Sequence, residues 1–98
     1  MFELEFLPSA LKEWNGLDKA IQLQFSRKLD KILAEPRILS MQLSKYKDSY
    51  RIKLRKAGLR LIYHVDGKRI IVTVLRIARR DKDEAYTNIE ARLAELGF

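Results

Sequence analysis

The chain has 98 residues, a net charge of +7 and 47% hydrophobic residues, which fits a single domain, 1–98, with a modest core. It has no cysteine and one histidine, His64, which excludes disulfides and argues against a zinc site. Its apolar runs are too short to span a bilayer, and its acidic start is unlike a signal peptide, so we expect a cytoplasmic protein without metal or cofactor.

The first half of the chain predicts one strand and two helices. Apolar and acidic residues alternate over residues 2–6, as in a half-buried strand, and Ser9 is a candidate cap for a short helix ending near Leu17. Asp18 is a candidate cap for a second helix, which Pro36 ends. Its apolar residues recur at helical spacing: Ile21, Phe25, Leu29, Ile32 and Leu33.

The second half predicts three strands and a helix. Strands are expected over residues 50–55, 59–65 and 69–78, and the helix follows with an apolar stripe that includes Ala85 and Ile89. The order β-α-α-β-β-β-α indicates an α+β domain. We expect an antiparallel meander with the two N-terminal helices on one face, and a C-terminal helix.

The turns predict which residues share a face of this sheet. Two-residue loops at Ala57-Gly58 and Asp66-Gly67 would place Arg55 opposite Arg60 and Tyr63 opposite Ile70. One face then forms a core for the helices from Ile52, Leu54, Leu61, Tyr63, Ile70, Val72 and Val74.

The other predicted face is cationic. It would collect Arg51, Lys53, Arg55, Arg60, His64 and Arg69. The surrounding residues, 45–82, carry thirteen Lys and Arg against three Asp and Glu, whereas residues 83–98 carry one against four. Like charges that face each other destabilise a sheet, so this pattern favours an anionic ligand, with phosphate the obvious candidate, over an ordinary solvated surface.

Four segments in chain order resemble the RelE family of bacterial toxins. Residues 10–14 resemble its first helix, residues 35–38 the exit from its second helix, residues 50–63 its central hairpin, and residues 79–86 its basic loop with the following helical tyrosine. The resemblance implies the RelE-like microbial ribonuclease fold and a toxin of a type II toxin–antitoxin system. Such a toxin cleaves messenger RNA in the ribosomal A site.

The same resemblance implies the partners. They are the ribosome with its rRNA and mRNA, a cognate RelB-like antitoxin, and a toxin–antitoxin hetero-oligomer that could bind operator DNA. A gyrase-directed toxin of the ParE type and a non-catalytic RNA-binding module remain as alternatives.

The family's catalytic positions fall on Arg51, Lys53, Arg60, Arg80 and Tyr86. Arg51 stands where a lysine is usual, and because arginine is effectively never deprotonated, it would bind phosphate while Lys53 serves as the base. Neighbouring cations would lower the pKa of Lys53. Arg60 would bind the non-bridging phosphate oxygens, Arg80 would meet the leaving 5′-oxygen, and Tyr86 would stack on or orient a base.

Further basic residues are candidates for RNA contact. Arg55, Lys45, Lys47 and Arg79 are expected to bind phosphate around the catalytic cluster. His64 is expected at a sheet edge, with little or no part in RNA binding.

Overall fold

The computed structural model describes residues 1–97, and the side chains of all of these except residues 82 and 83. The strands and helices are β1 (Glu3–Phe6), α1 (Pro8–Asn15), α2 (Lys19–Ile32), β2 (Ser49–Leu54), β3 (Leu59–Asp66), β4 (Ile71–Arg79) and α3 (Ile89–Glu95), with 3₁₀ helices at Leu39–Met41 and Asp81–Tyr86. The α+β class and the element order are confirmed. The sheet order is β1-β4-β3-β2; β2, β3 and β4 form the antiparallel meander, and β1 joins β4 in parallel.

The two N-terminal helices begin in different ways. The carboxylate of Asp18 accepts a hydrogen bond of 2.9 Å from the backbone N–H of Ile21, so the predicted cap of α2 is confirmed. The predicted cap of α1 is wrong, because Leu7 is the N-cap and Ser9 lies inside the helix. Pro8 explains the difference: its fixed φ and missing N–H suit the first helical position.

The core lies between the helices and the sheet. From α2 it takes Phe25 and Leu29, both at most 1% exposed, and the ring of Trp14 lies 6.3 Å from that of Phe25. Tyr63 of β3 is buried and donates a hydrogen bond of 2.8 Å to the backbone oxygen of Pro36. This bond ties the centre of the sheet to the chain that leaves α2.

Both predicted hairpin loops are too short. Leu54 pairs with Leu59 across a four-residue turn that Gly58 closes at φ 67°, so Arg60 lies opposite Lys53 rather than Arg55. The observed pairing differs from the predicted one by two residues in the first hairpin. In the second hairpin it differs by four residues between the turn and the bulge described below, because Tyr63 pairs with Val74 rather than Ile70. Side chains alternate between faces with a period of two, so the predicted faces of β2 and of this part of β3 survive the errors.

The second hairpin also differs in its turn. Asp66 pairs with Ile71, and the Asp66 carboxylate accepts hydrogen bonds from the backbone N–H groups of Lys68 and Arg69, which stabilises a longer loop. Ile70 therefore lies in the turn at φ 59° and is 48% exposed, and its predicted place in the core is wrong. Arg69 also lies in this turn, away from the cationic face.

A β-bulge between Ile62 and Tyr63 shifts the pairing of β3 with β4 by one residue. Tyr63 pairs with Val74 on one side of the bulge, and Leu61 pairs with Ile77 on the other. His64 pairs with Ser49 and Thr73 and is 6% exposed, so its predicted position at a sheet edge is wrong. The alternating pattern of the strand carries no signal for the bulge.

The C-terminal helix is interrupted. A 3₁₀ helix ends at Tyr86, Thr87 is extended, and Asn88 has φ 61° before α3 begins at Ile89. The apolar stripe is nevertheless present, because Ala85 and Ile89 are fully buried and the later leucines pack against the core. Among the described residues, no helix is long and apolar enough to cross a membrane, and no cluster of three metal-ligating side chains occurs.

Candidate functional site

A cationic cleft lies where β2, β3 and the start of the second 3₁₀ helix meet. Lys53 and Arg60 face each other across β2 and β3, and the backbone N–H of Arg80 donates a 2.9 Å hydrogen bond to the Gly58 oxygen. This bond attaches the basic loop to the β2–β3 turn. The resulting cleft has a volume of about 270 Å³ and is lined by Lys53, Leu54, Arg55, Leu59, Arg60 and Arg80.

Lys53 is the titratable group that this cluster perturbs. Its pKa is lowered, first by the positive charge of Arg51, then by partial desolvation, and then by Arg60 and Arg55. Each neighbouring cation disfavours the ammonium form, so a neutral amine is easier to reach than in an isolated lysine. The expected direction of the shift is confirmed.

Tyr86 contacts Arg60 directly. Its hydroxyl accepts a 2.8 Å hydrogen bond from Nη1 of Arg60, and the guanidinium carbon lies 5.2 Å from the centre of the Tyr86 ring. Both side chains are partly buried. The structure therefore brings the tyrosine to the cationic cleft, although it lies at the end of a 3₁₀ helix rather than in an α-helix.

The remaining predicted RNA contacts surround this cleft unevenly. Arg55 lies in the β2–β3 turn and lines the cleft, and Lys45 lines a neighbouring cavity together with Arg51. Lys47 is exposed in the same chain segment as Lys45, and Arg79 is exposed at the end of β4. The structure does not place Lys47 or Arg79 in the cleft.

His64 is unsuited to acid–base chemistry with RNA. It is buried, and desolvation is the main cause of its lowered pKa, ahead of the opposing effects of Asp48 and Asp66. Burial therefore favours the neutral form of His64 more than that of an exposed histidine.

The sequence did not predict an ion pair between Glu13 and Arg92, which forms hydrogen bonds with backbone groups of β4 where no strand pairs with it. Beyond the end of β1, the carboxylate of Glu13 accepts hydrogen bonds of 2.9 Å from the backbone N–H of Ile77 and of 2.7 and 2.9 Å from the two Nη atoms of Arg92. Nη1 of Arg92 also donates a 2.7 Å bond to the backbone oxygen of Leu75. Helices α1 and α3 are thereby fastened to β4, the strand that leads into the site. No local pattern marks this pair, because its members are 79 positions apart.

Known proteins of the same architecture were found by sequence and by structure. The family described as "ParE toxin of type II toxin-antitoxin system, parDE" matches residues 4–84. A RelE-like toxin protein of Escherichia coli is 41% identical over 92 residues, covering 94% of this chain and 97% of that protein. The mRNA interferase toxin RelE of Escherichia coli is 37% identical over 90 residues, covering 92% and 95% of the two chains.

Two solved structures show the same fold. An E. coli RelE variant in the free state has a TM-score of 0.87 at 35% identity, covering 94% of this chain and 97% of that chain. The toxin in the intact E. coli RelBE toxin–antitoxin complex has a TM-score of 0.80 at 36% identity, covering 83% and 99%. With near full-length relatives in both comparisons, the chain belongs to the RelE family of toxins from type II toxin–antitoxin systems.

Proposed function

We propose that this chain is an endoribonuclease that cleaves messenger RNA in the ribosomal A site without a metal ion and so stops translation. Relatives named mRNA interferase support the reaction, and the facing pair of Lys53 and Arg60 in a cleft with Arg80 is the observation that carries it. The cleft combines a lysine of lowered pKa with fixed positive charge, as phosphate chemistry requires.

The reaction begins at the 2′-hydroxyl that precedes the scissile phosphate. Neutral Lys53 removes the proton of that hydroxyl, and its oxygen attacks the phosphorus while the bond to the 5′-oxygen breaks. The products are a 2′,3′-cyclic phosphate and a 5′-hydroxyl end. Arg60 and Arg51 stabilise the negative charge on the non-bridging oxygens. Arg80 donates a hydrogen bond to the leaving 5′-oxygen, which takes its proton from water.

Tyr86 has two parts in this scheme. Its ring stacks on or orients a base, as expected of an aromatic side chain at an RNA site. Its hydroxyl also accepts a hydrogen bond from one Nη of Arg60, which fixes the orientation of that guanidinium in the cleft.

Substitutions on purified translating ribosomes test these roles. Lys53→Ala and Arg80→Ala should each reduce single-turnover cleavage by about 100-fold or more, the scale of losing a positioned base or charge stabiliser. Lys68→Ala is the matched control, because Lys68 is an exposed cation in the β3–β4 turn, at the other end of β3. Near-normal cleavage by both cleft variants would rule out the proposed roles.

A gyrase-directed toxin is the second candidate function, because the matching family description is that of the ParE toxin. A supercoiling assay with purified gyrase separates the two. Inhibition of gyrase by the chain, with no cleavage of ribosome-bound mRNA, would favour the ParE-like activity over the nuclease.

The proposed regulator is a RelB-like antitoxin, because E. coli RelE has been solved with RelB. We expect an acidic, partly helical segment to cover the cationic cleft, with apolar anchors for affinity and charge for association rate and specificity. It should also displace the segment that carries Tyr86. Hydrogen exchange of residues 84–97, with and without antitoxin, tests this expectation. Equal protection in both states, with Lys53 and Arg60 still accessible, would mean that the antitoxin acts by blocking entry to the ribosome.

A further inference from the structure

A second cavity adjoins the cationic cleft on the side of Arg51. Its volume is about 300 Å³, at the lower end of the usual range for ligand sites of roughly 300–1,000 Å³. Arg51 connects it to Lys53, two positions along β2, and Tyr86 connects it to Arg60. The polar and aromatic groups of its lining are Gln42, Ser44, Lys45, Tyr46, Arg51 and Tyr86.

The lining suits a nucleotide. Two tyrosines, Tyr46 and Tyr86, provide aromatic surface for a planar base, and two cations, Lys45 and Arg51, provide positive charge for a phosphate. Among the residues that the structure describes, no acidic side chain lines the cavity. The ammonium of Lys45 lies 5.6 Å from the centre of the Tyr46 ring, so charge and aromatic surface occur together at this wall.

The wall that carries Tyr46 is held in place by the sheet. Gln42 forms a β-bridge with Tyr50, and the N–H of Leu43 donates a 2.9 Å hydrogen bond to the Ser49 oxygen. The Ser49 N–H donates in turn to the oxygen of Tyr46. Because this backbone is ordered before any ligand arrives, binding costs little further ordering.

The position of the cavity indicates which nucleotide it takes. Arg80 lies at the turn end of the hairpin, the Lys53–Arg60 pair follows, and Arg51 lies beyond that pair. In the proposed reaction Arg80 contacts the leaving 5′-oxygen and Lys53 contacts the 2′-hydroxyl. The nucleotide that carries this hydroxyl then lies on the side of Lys53 away from Arg80, which is the side of Arg51 and the second cavity.

We propose that Tyr46 and Lys45, in the cavity that Tyr86 also lines, form a specificity wall that selects the base immediately 5′ of the cleaved phosphate. The position on the RNA rests on the proposed function, but the binding of a nucleotide in this cavity does not. Tyr46 supplies a second aromatic surface for the base, and Lys45 supplies charge near its phosphate. The two residues therefore determine which bases are accepted, while Lys53, Arg60 and Arg80 perform the reaction.

Binding of small nucleotides tests the wall without cleavage. The probes are the four nucleoside 3′-monophosphates, with inorganic phosphate as the base-free control, titrated into the whole chain by calorimetry or NMR. Tyr46→Leu should weaken nucleotide binding by roughly 10-fold or more and leave phosphate binding unchanged, because base stacking is lost. Lys68→Ala should bind as the wild type does, and Tyr46→Phe, which keeps the ring, should recover most of the nucleotide affinity that Tyr46→Leu loses. Lys45→Ala, a change at an exposed side chain, should weaken binding of the nucleotides even if Tyr46→Leu fails to fold.

Base preference during cleavage provides the second readout. On ribosomes programmed with codons that differ only in the base 5′ of the cut, Tyr46→Leu should flatten the preference and raise KM more than it lowers kcat. Wild-type nucleotide affinity and unchanged base preference in Tyr46→Leu and Lys45→Ala would overturn the proposal. Nucleotide binding that depends on Tyr46, in a chain that does not cut ribosome-bound mRNA, would support the cavity assignment and refute the proposed function.

Discussion

Replacing Glu13 with alanine should destabilise the whole fold, although Glu13 lies on a helix near the start of the chain. The substitution removes the acceptor for the backbone N–H of Ile77 and for both Nη atoms of Arg92. Arg92 would keep its bond to the Leu75 oxygen but lose its carboxylate. Alanine is a strong helix former, so the change should not weaken α1 by itself.

The expected loss follows from the burial of the pair. The Arg92 side chain is 13% exposed and that of Glu13 is 25% exposed, so water can replace only part of the lost interaction. Breaking a fully buried pair costs about 3–5 kcal/mol, and a single hydrogen bond to a charged group contributes about 1.5–3 kcal/mol. For this partly exposed pair we expect the free energy of unfolding to fall by about 2–4 kcal/mol. At about 4–8 °C per kcal/mol for a domain of this size, Tm should fall by roughly 8–32 °C.

Thermal unfolding and a double-mutant cycle measure this effect. Glu35→Ala, at an exposed glutamate after α2, is the matched control and should leave Tm nearly unchanged. Glu13→Ala and Arg92→Ala together should cost less than the sum of the single changes, because the double variant no longer contains the Arg92 charge that Glu13→Ala leaves without its carboxylate. Hydrogen exchange at the Ile77 amide should accelerate in Glu13→Ala. A Tm equal to that of Glu35→Ala, or strictly additive single effects, would show that the pair does not fasten the helices to β4.

Three further predictions concern titration and charge. Because Arg51 is the main cause of the lowered pKa of Lys53, Arg51→Gln should move the alkaline rise of cleavage to higher pH, whereas Arg51→Lys should leave the pH–rate profile unchanged. Arg51→Ala should weaken RNA binding and reduce the slope of affinity against salt; an unchanged slope would exclude a phosphate contact. Burial raises the pKa of Tyr63, so the folded chain resists ionisation of its hydroxyl. The neutral hydroxyl therefore contributes to the free energy of unfolding in full below about pH 10, and this contribution should be lost as the pH rises further. Urea unfolding should show Tyr63→Phe about 1 kcal/mol less stable at neutral pH, from its lost bond to Pro36, but less sensitive to alkali; an equal alkaline loss would contradict this.

Much of the site could be predicted from the sequence because strand periodicity tolerates even-numbered register errors. Lys53 and Arg60 were expected on one face, and they lie there although the loop length was wrong by two residues. Ile70 shows the limit of this tolerance. A β-branched residue predicts a strand, but the side-chain hydrogen bonds of Asp66 extended the turn and moved it out of the sheet.

Features that depend on distant partners could not be predicted. His64 is buried in the central strand β3, two residues after the start of the bulge, and nothing in the local alternation reveals the bulge or this burial. The Glu13–Arg92 pair joins two helices across the chain, and each residue alone reads as an ordinary surface charge. Tyr46 was detectable in principle, as an aromatic residue between two lysines in the basic segment, but only the fold places it beside Tyr86.

The most direct test of the central claim is the mapping and chemical analysis of RNA ends after the chain acts on a programmed ribosome. The wild type should produce new ends inside the A-site codon, with a 2′,3′-cyclic phosphate on one fragment and a 5′-hydroxyl on the other. Lys53→Ala should lose these ends, while Lys68→Ala should keep them. The claim would be contradicted if no new ends formed in the A-site codon, or if Lys53→Ala produced the same ends at the wild-type rate.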